Sequence, residues 1–209
     1  MVVLEKKEES IEKIKVSVQL GNFFVASLLR SELKKLDNLT VYNYPDNADL
    51  ILIDKIFLLE EVKKIKFFIE KGKYLVFVNY DLDEEEVAIL IKLVPIKGII
   101  DRNMRLDLIN RMFFSVINGD IWIKRSIINL LLKKTFPLDV LSKKELLVVN
   151  CLLEGYTNKE IASKLDLSEQ SVKYYLNQLF RKLNCSSRVE VVIKLMKFKP
   201  YIKFLIEQE

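Results

Sequence analysis

An α/β domain followed by an all-α domain is what this sequence predicts, on three grounds. Short apolar runs alternate with helical patterns across residues 1–120, whereas from Ser142 onward only helical patterns recur. Pro137 breaks the chain between the two regions. Charge also shifts: residues 1–120 carry 18 basic and 20 acidic side chains, 121–138 four basic and no acidic ones, and 139–200 carry 11 and seven. The 209-residue length leaves each region enough chain for its own core. The expected division is 1–120 for the α/β domain, 121–138 for a linker helix, 139–200 for the helical domain and 201–209 for a C-terminal tail.

In order, Ile14–Leu20 reads as a first strand and about Phe23–Leu36 as a helix. Thr40–Tyr44 is a second strand, and Asp49-Leu50-Ile51-Leu52-Ile53 a buried third that ends at Asp54. A helix from about Leu58 to Lys71 is closed by Gly72, a residue at ease in left-handed backbone. Tyr74–Val78 is a fourth strand, Glu84–Leu93 a helix, Gly98–Ile100 a fifth strand and Leu106–Asn118 the last helix. Such alternation predicts a five-stranded parallel sheet with helices on its faces. The linker, Ile121–Phe136, holds Trp122 and the helix-like run Ile127, Ile128, Leu130, Leu131, Leu132. It is more apolar than a free spacer, so it is expected to dock on one domain or on a second subunit.

Beyond Pro137, Ser142 caps a helix reaching Glu154, with Glu145 at capping-box spacing and Gly155 just past its end. Asn158–Leu165 is a shorter helix with Ile161, Ala162 and Leu165 inward. Only Asp166-Leu167-Ser168 separates it from a helix over Ser168–Leu183, the tight turn of a helix-turn-helix, with Ala162 small enough for close packing. At about 100° per residue, Val172, Leu176, Leu179 and Leu183 form a core stripe, and Gln170, Lys173, Tyr174, Asn177 and Arg181 take the opposite side. Amides, cations and a phenol are the groups that pair with base edges and phosphates. A charged face alone is more often merely solvated, and Tyr174 can equally serve to cover core. Ser186 or Ser187 opens a fourth helix to about Lys199, stopped before Pro200.

The residues LSKKE, EGYTNKEIASKLDLSEQSVKYYL and RKLNCSSRVE, ungapped in their spacing, resemble the C-terminal DNA-binding domain of the LuxR/NarL/FixJ family of bacterial transcription regulators. In that family the third helix enters the major groove and the fourth pairs two subunits on an inverted repeat. The resemblance implies base-facing positions for Lys173, Tyr174 and Asn177, with Gln170 a further candidate. It implies phosphate-facing positions for Ser168, Asn158 and Lys159, where helix N-termini approach the backbone, and Arg181 on the polar face is a further candidate for phosphate contact. The chain departs from many members at Tyr175, where they carry His.

The first 120 residues, ending in INGDIWI, resemble the receiver domain of response regulators in the order of their elements. A working receiver needs an acidic pair after the first strand to hold magnesium, an acceptor Asp after the third, a Ser or Thr after the fourth and a Lys after the fifth. Here Leu20 and Gly21 replace the pair, Asp54 matches the acceptor, Asn79 stands for the hydroxyl residue and Arg102 most nearly for the Lys. The segment PDNA is too short for the usual second helix. Phosphoryl transfer needs a divalent cation against the gathering charge, and magnesium favours several oxygen ligands. Asp54 is therefore expected to be a vestigial phosphoacceptor, structural and paired with Arg102, in a pseudo-receiver. Its expected work is dimerisation, binding a protein or small ligand, or holding the DNA-binding unit in place.

No run reaches the ~18 apolar residues of a membrane span; Val87–Ile100 is broken by Lys92, Pro95 and Lys97. MVVLEKKEES lacks a signal-peptide pattern, so a cytoplasmic protein is expected. Cys151 and Cys185 form no CxxC pair and the chain has no histidine, so neither a metal nor a cofactor is expected. Both thiols read as buried or half-buried hydrophobes. The expected function is a sequence-specific transcription regulator, not an enzyme, that binds double-stranded DNA as a homodimer and is controlled independently of phosphorylation. Two alternatives stay open: a conventional phospho-activated response regulator using Asp54, and an adaptor whose helical unit contacts RNA polymerase.

Overall fold

Leu50-Ile51-Leu52-Ile53 is buried at all four side chains, as a strand in the middle of a sheet covered on both faces must be. The computed structural model of the protein describes residues 13–133 and 136–207 and places this segment there. The N-terminal MVVLEKKEES lies outside the described residues. The first elements are β1 (Ile14–Gln19), α1 (Phe23–Leu33), β2 (Leu39–Tyr42), β3 (Leu50–Ile53), α2 (Lys55–Glu60), α3 (Val62–Glu70) and β4 (Tyr74–Asn79). Then come α4 (Glu84–Leu93), β5 (Ile96–Asp101), α5 (Leu106–Ile117) and α6 (Arg125–Lys133). The last five are α7 (Lys143–Leu153), α8 (Asn158–Leu165), α9 (Glu169–Leu183), α10 (Arg188–Leu195) and α11 (Lys199–Glu207).

The strands form one parallel sheet in the order β2-β1-β3-β4-β5. Alternate side chains point to opposite faces. On one face Val16, Val18, Leu50, Leu52, Val76, Val78 and Ile100 pack with Ala26 and Leu33 of α1 and with Ile109, Met112, Phe113 and Val116 of α5. The other parity, Ile51, Ile53, Leu75 and Phe77, is equally buried. α2 and α3 lie against β4 and bury Phe57, Leu58, Val62, Ile65 and Phe68. After α5 the chain returns beside β5, where Trp122 N–H donates to the Lys97 carbonyl at 2.7 Å.

Most strand and helix ends fall within about three residues of expectation, and three elements differ in kind or extent. The helix expected over Leu58–Lys71 is two, because Asp54 caps a start at Lys55 and Glu61 (φ −117°, ψ 43°) leaves helical backbone. The fifth strand spans Ile96–Asp101 rather than its three central residues. The fourth helix of the C-terminal region ends at Leu195, and after a short 3-10 turn the chain enters α11. Pro200 does not stop it; proline is tolerated in a helix's first turn, where its missing N–H has no partner to lose. Tyr201, Ile202 and Phe204 of α11 are buried.

The described residues form two compact units that are not sequential: one comprises those up to Leu82 with Pro95–Lys124, the other Asp83–Val94 with those from Arg125 onward. In the second unit α4 packs along α6, and α11 on α7. Asp83 and Glu86 close a capping box at the start of α4. Ser126 Oγ donates to Glu84 Oε1 at 2.8 Å, Lys197 pairs with Glu85, and the Tyr201 hydroxyl donates to Glu86 Oε1 at 3.2 Å. Lys92 meets Asp139 at 2.5 Å and lies over the Phe136 ring, 4.6 Å from its centroid. Among the described residues no helix is long and apolar enough to cross a membrane.

Candidate nucleic-acid interface

Two helices and one left-handed residue build the polar face. Thr157 and Glu160 form a capping box that starts α8 at Asn158. Asp166 (φ 53°, ψ 50°) ends α8 in left-handed backbone, and Leu167 N–H returns to the Ala162 carbonyl at 2.9 Å. Asp tolerates that conformation because its short polar side chain can bond locally. Ser168 Oγ then accepts Ser171 N–H at 3.0 Å and α9 begins. Val172, Leu176, Leu179 and Leu183 are buried, as the 3.6-residue period demands.

α9 is also tied from below. Lys182 Nζ meets Glu145 Oε2 of α7 at 2.7 Å, and Glu145 is itself the Ser142 capping-box partner. Burial alone would raise the Glu145 carboxyl's pKa; the Lys182 and Ser142 bonds outweigh it and hold it below its ordinary value. Asn184 (φ 49°) terminates the helix. Arg188 donates to the Tyr156 carbonyl and to Asn158 Oδ1, fastening the start of α10 to the entry of α8. Burial pushes the Cys151 thiol up, and Cys185 is half-buried.

Above that support, Gln170, Lys173, Tyr174, Asn177 and Arg181 are all exposed. Gln170, Lys173, Tyr174 and Asn177 line one shallow concavity together with Ser171 and Tyr175. The Tyr174 and Tyr175 rings meet edge to face, 5.6 Å between centroids. Arg181 lies one turn on and donates to Gln178 Oε1 at 2.5 Å. Ser168 and Lys159 are exposed at the starts of their helices, while Asn158 is half-buried with its oxygen turned to Arg188. The structure thus gathers four of the eight expected residues into one surface. Sequence reasoning missed Thr157, although its spacing to Glu160 is the capping-box signal, and missed Ser171 and Tyr175 as lining residues. The arrangement offers amides, hydroxyls and an ammonium on a rod narrow enough for a major groove.

In the other unit, Asp54 is fully buried and bonded on every side. Its Oδ1 accepts Gly21 N–H at 2.9 Å and Phe57 N–H at 2.8 Å; its Oδ2 accepts Asn22 N–H at 3.2 Å and the Tyr80 hydroxyl at 2.9 Å. A carboxylate offers about four lone-pair sites, and all are in use. The expected pairing with Arg102 is not formed: Arg102 is exposed, and backbone donors plus Tyr80 take its place. Burial, then the bond to Asp54, push the Tyr80 phenol's pKa far above its ordinary value. A Cβ on Gly21 would lie 2.2 Å from Ile56 Cγ2 and 2.5 Å from Ile56 Cβ, so Ile56 fills the space a side chain there would need. Asn79 donates to the Leu82 carbonyl and to Asp101, whose other oxygen pairs with Lys124 at 3.0 Å. Among the described residues no cluster of three or more acidic or thiol ligands could hold a metal ion.

Comparison with known proteins gives the following. Residues 139–195 match the family model described as bacterial regulatory proteins, luxR family. The transcriptional regulatory protein ComA of Bacillus subtilis (strain 168) is 32% identical over 160 residues, covering 69% of this chain and 73% of ComA. The oxygen regulatory protein NreC of Staphylococcus carnosus is 30% identical over 139 residues, 61% of this chain and 63% of NreC. The nitrate/nitrite response regulator NarP of Escherichia coli (strain K12) is 46% identical over 61 residues, 29% of this chain and 28% of NarP. Among solved structures, the RcsB response regulator of Salmonella typhimurium matches with a TM-score of 0.54 at 17% identity, covering 88% of this chain and 100% of that one. An RcsB–DNA complex matches with a TM-score of 0.51 at 18% identity, covering 88% and 98%. At such identities the two structures speak to the fold, a parallel sheet with flanking helices joined to a helical unit.

Proposed function

The chain belongs to the luxR family of bacterial regulatory proteins, as a DNA-binding transcription regulator of the response-regulator type, and from that premise we propose a cytoplasmic, dimeric, sequence-specific regulator that is not an enzyme and is controlled independently of phosphorylation. The observation that carries the DNA reading is α9, with Val172, Leu176, Leu179 and Leu183 buried while Gln170, Lys173, Tyr174, Asn177 and Arg181 are exposed on the same helix. Lys173, Tyr174, Asn177 and Gln170 read base edges in double-stranded DNA. Arg181, Lys159, Ser168 and Asn158 meet phosphates, the last three from helix starts, where N–H groups and the helix dipole favour anions. In this reading residues 1–120 are the regulatory part, 121–138 the connection, 139–200 the DNA reader and 201–209 its tail. RcsB, whose fold is similar, is known in complex with DNA.

Dimerisation is supported by Val189, Ile193 and Met196, exposed along α10 and the turn after it at a spacing of four and three. Ile193 is 70% accessible, and an apolar stripe of that kind suits a second copy. Independence from phosphorylation is supported by the saturated Asp54 and by Ile56 in the space beside Gly21. A phosphoryl group on Asp54 would have to displace its bonds from Gly21, Asn22, Phe57 and Tyr80.

The test is a titration of the full chain against a randomised duplex pool at two salt concentrations, with intact-mass measurement after exposure to a small phosphodonor and magnesium. Selective, salt-sensitive binding with no added mass is expected. Loss of any salt-sensitive DNA binding would favour the polymerase adaptor. A phosphate added to the wild type but not to Asp54→Asn would favour the conventional response regulator.

A further inference from the structure

The first unit contains a cleft of about 460 Å³ at the C-terminal ends of β4 and β5, between α1 and α5, within the ~300–1,000 Å³ typical of small-molecule sites. Val25, Leu29, Val78, Ile100, Met104 and Ile109 give it apolar walls. Three charged residues also line it, and two of them are already satisfied. Glu32 is paired with Lys35 at 2.5 Å, and Asp101 with Lys124 at 3.0 Å. Arg102 is exposed and has no partner among the described residues. The cleft therefore presents apolar wall and one unneutralised cation, a complement to an apolar body with a single negative head.

Tyr80 joins this cleft to the blocked acceptor site. Its ring lines the cleft while its hydroxyl donates to Asp54, the residue that fixes the β1–α1 loop and caps α2. A ligand seated here touches the network that phosphate uptake would otherwise disturb. We infer that the cleft takes a small amphipathic monocarboxylate, its apolar body between α1 and α5 and its carboxylate on Arg102, and that this ligand is the input which stands in for phosphorylation. The binding site rests on the cleft alone; its role as input rests on the regulator reading above.

Octanoate is the probe, with octanol and octylamine as neutral and cationic counterparts, titrated into the full chain by calorimetry. Saturable one-to-one binding of octanoate is expected, with octanol and octylamine weaker. Arg102→Gln, a change at an exposed side chain, should weaken octanoate about fivefold. Leu29→Trp should block the cleft, with circular dichroism confirming that it folds. Failure of octanoate to saturate, equal binding of octanol, or unchanged binding by Arg102→Gln overturns the inference. So does a concentration-dependent dimer that Leu29→Trp breaks and octanoate does not enter, since the occupant is then a second copy. A DNA titration on the same sample separates the two readings. Selective DNA binding without octanoate binding sinks this inference and leaves the regulator; octanoate binding without DNA binding keeps the site and removes its role as input.

Discussion

Lys173 is exposed on α9 beside Gln170, Tyr174 and Asn177, in a concavity that combines an ammonium with amides and a phenol. Lys173→Ala should cost about 1–3 kcal/mol of specific DNA affinity and relax preference at one base position, read by titrating single-position variants of the selected site. Arg181→Ala should instead weaken every duplex alike and lower the salt slope by about one; unchanged slope would remove Arg181 from the phosphate contacts. Glu145 makes a prediction about pH. Its folded pKa lies below the ordinary 4.5, so its stabilisation is complete above the unfolded value and disappears as pH falls through the folded one. Glu145→Gln should therefore lower stability by about 1.5–3 kcal/mol near neutrality, the scale of a charged hydrogen bond. The gap in urea midpoint between wild type and variant should shrink as pH falls below the ordinary carboxylate range and Glu145 takes up its proton. These roles were legible in sequence to different degrees. Ser142 and Glu145 stand at capping-box spacing, but nothing in the order of residues brings Lys182, 37 positions on, to the same carboxylate. Asp54 was legible as the end of a strand, whereas its donors come from Gly21, Asn22, Phe57 and Tyr80 and not from the cation at Arg102.

Elements were most legible where one face is buried and the other is not. α9 carries that contrast for four turns and its bounds follow from it, while β3, buried on both faces, is recognisable only as a short apolar run between turn residues. The split between α2 and α3 was hidden because Leu58, Val62 and Ile65 keep helical spacing across Glu61, so periodicity continues where the backbone does not. α11 was hidden by the opposite effect, a proline read as a stop although it sits in the first turn. The contact between the β1–α1 loop and α2 supplies the prediction at this scale. Gly21→Ala places a methyl 2.2 Å from Ile56 Cγ2 and should destabilise the first unit by about 1–3 kcal/mol, as overpacking does. The double variant Gly21→Ala, Ile56→Gly removes both the Cγ2 and the Cβ contacts and, set against Ile56→Gly alone, should recover part of that loss in a urea melt. No recovery would mean that the loop backbone, and not Ile56, excludes a side chain from the position.

At the scale of the whole chain, the grouping of residues 83–94 with the helices beyond Arg125 has no trace in sequence order, because packing across a long separation leaves no local pattern. Its consequences lie inside the second unit. Ile89, Lys92 and Leu93 of α4 line a small cavity with Phe136, Leu138 and Leu205, and Glu84, Glu85 and Glu86 take bonds from Ser126, Lys197 and Tyr201. Of these, the Lys197–Glu85 pair is half-exposed and contributes about 0–1 kcal/mol. The apolar contacts matter more: uncovering a side chain such as Phe136 or Leu138 costs about 1.5–3 kcal/mol each. A fragment of residues 125–209 keeps every helix of the DNA reader but loses α4, so it should unfold more readily than the same residues in the full chain. Hydrogen exchange should show this as weaker protection of α7 and α11 in the fragment, with Lys197→Ala in the full chain changing little. A shorter fragment, 139–195, would also forfeit α11 with its buried Tyr201, Ile202 and Phe204, and should be less protected still. Equal protection in the full chain and the 125–209 fragment would show that α4 only rests against this unit and adds nothing to its stability.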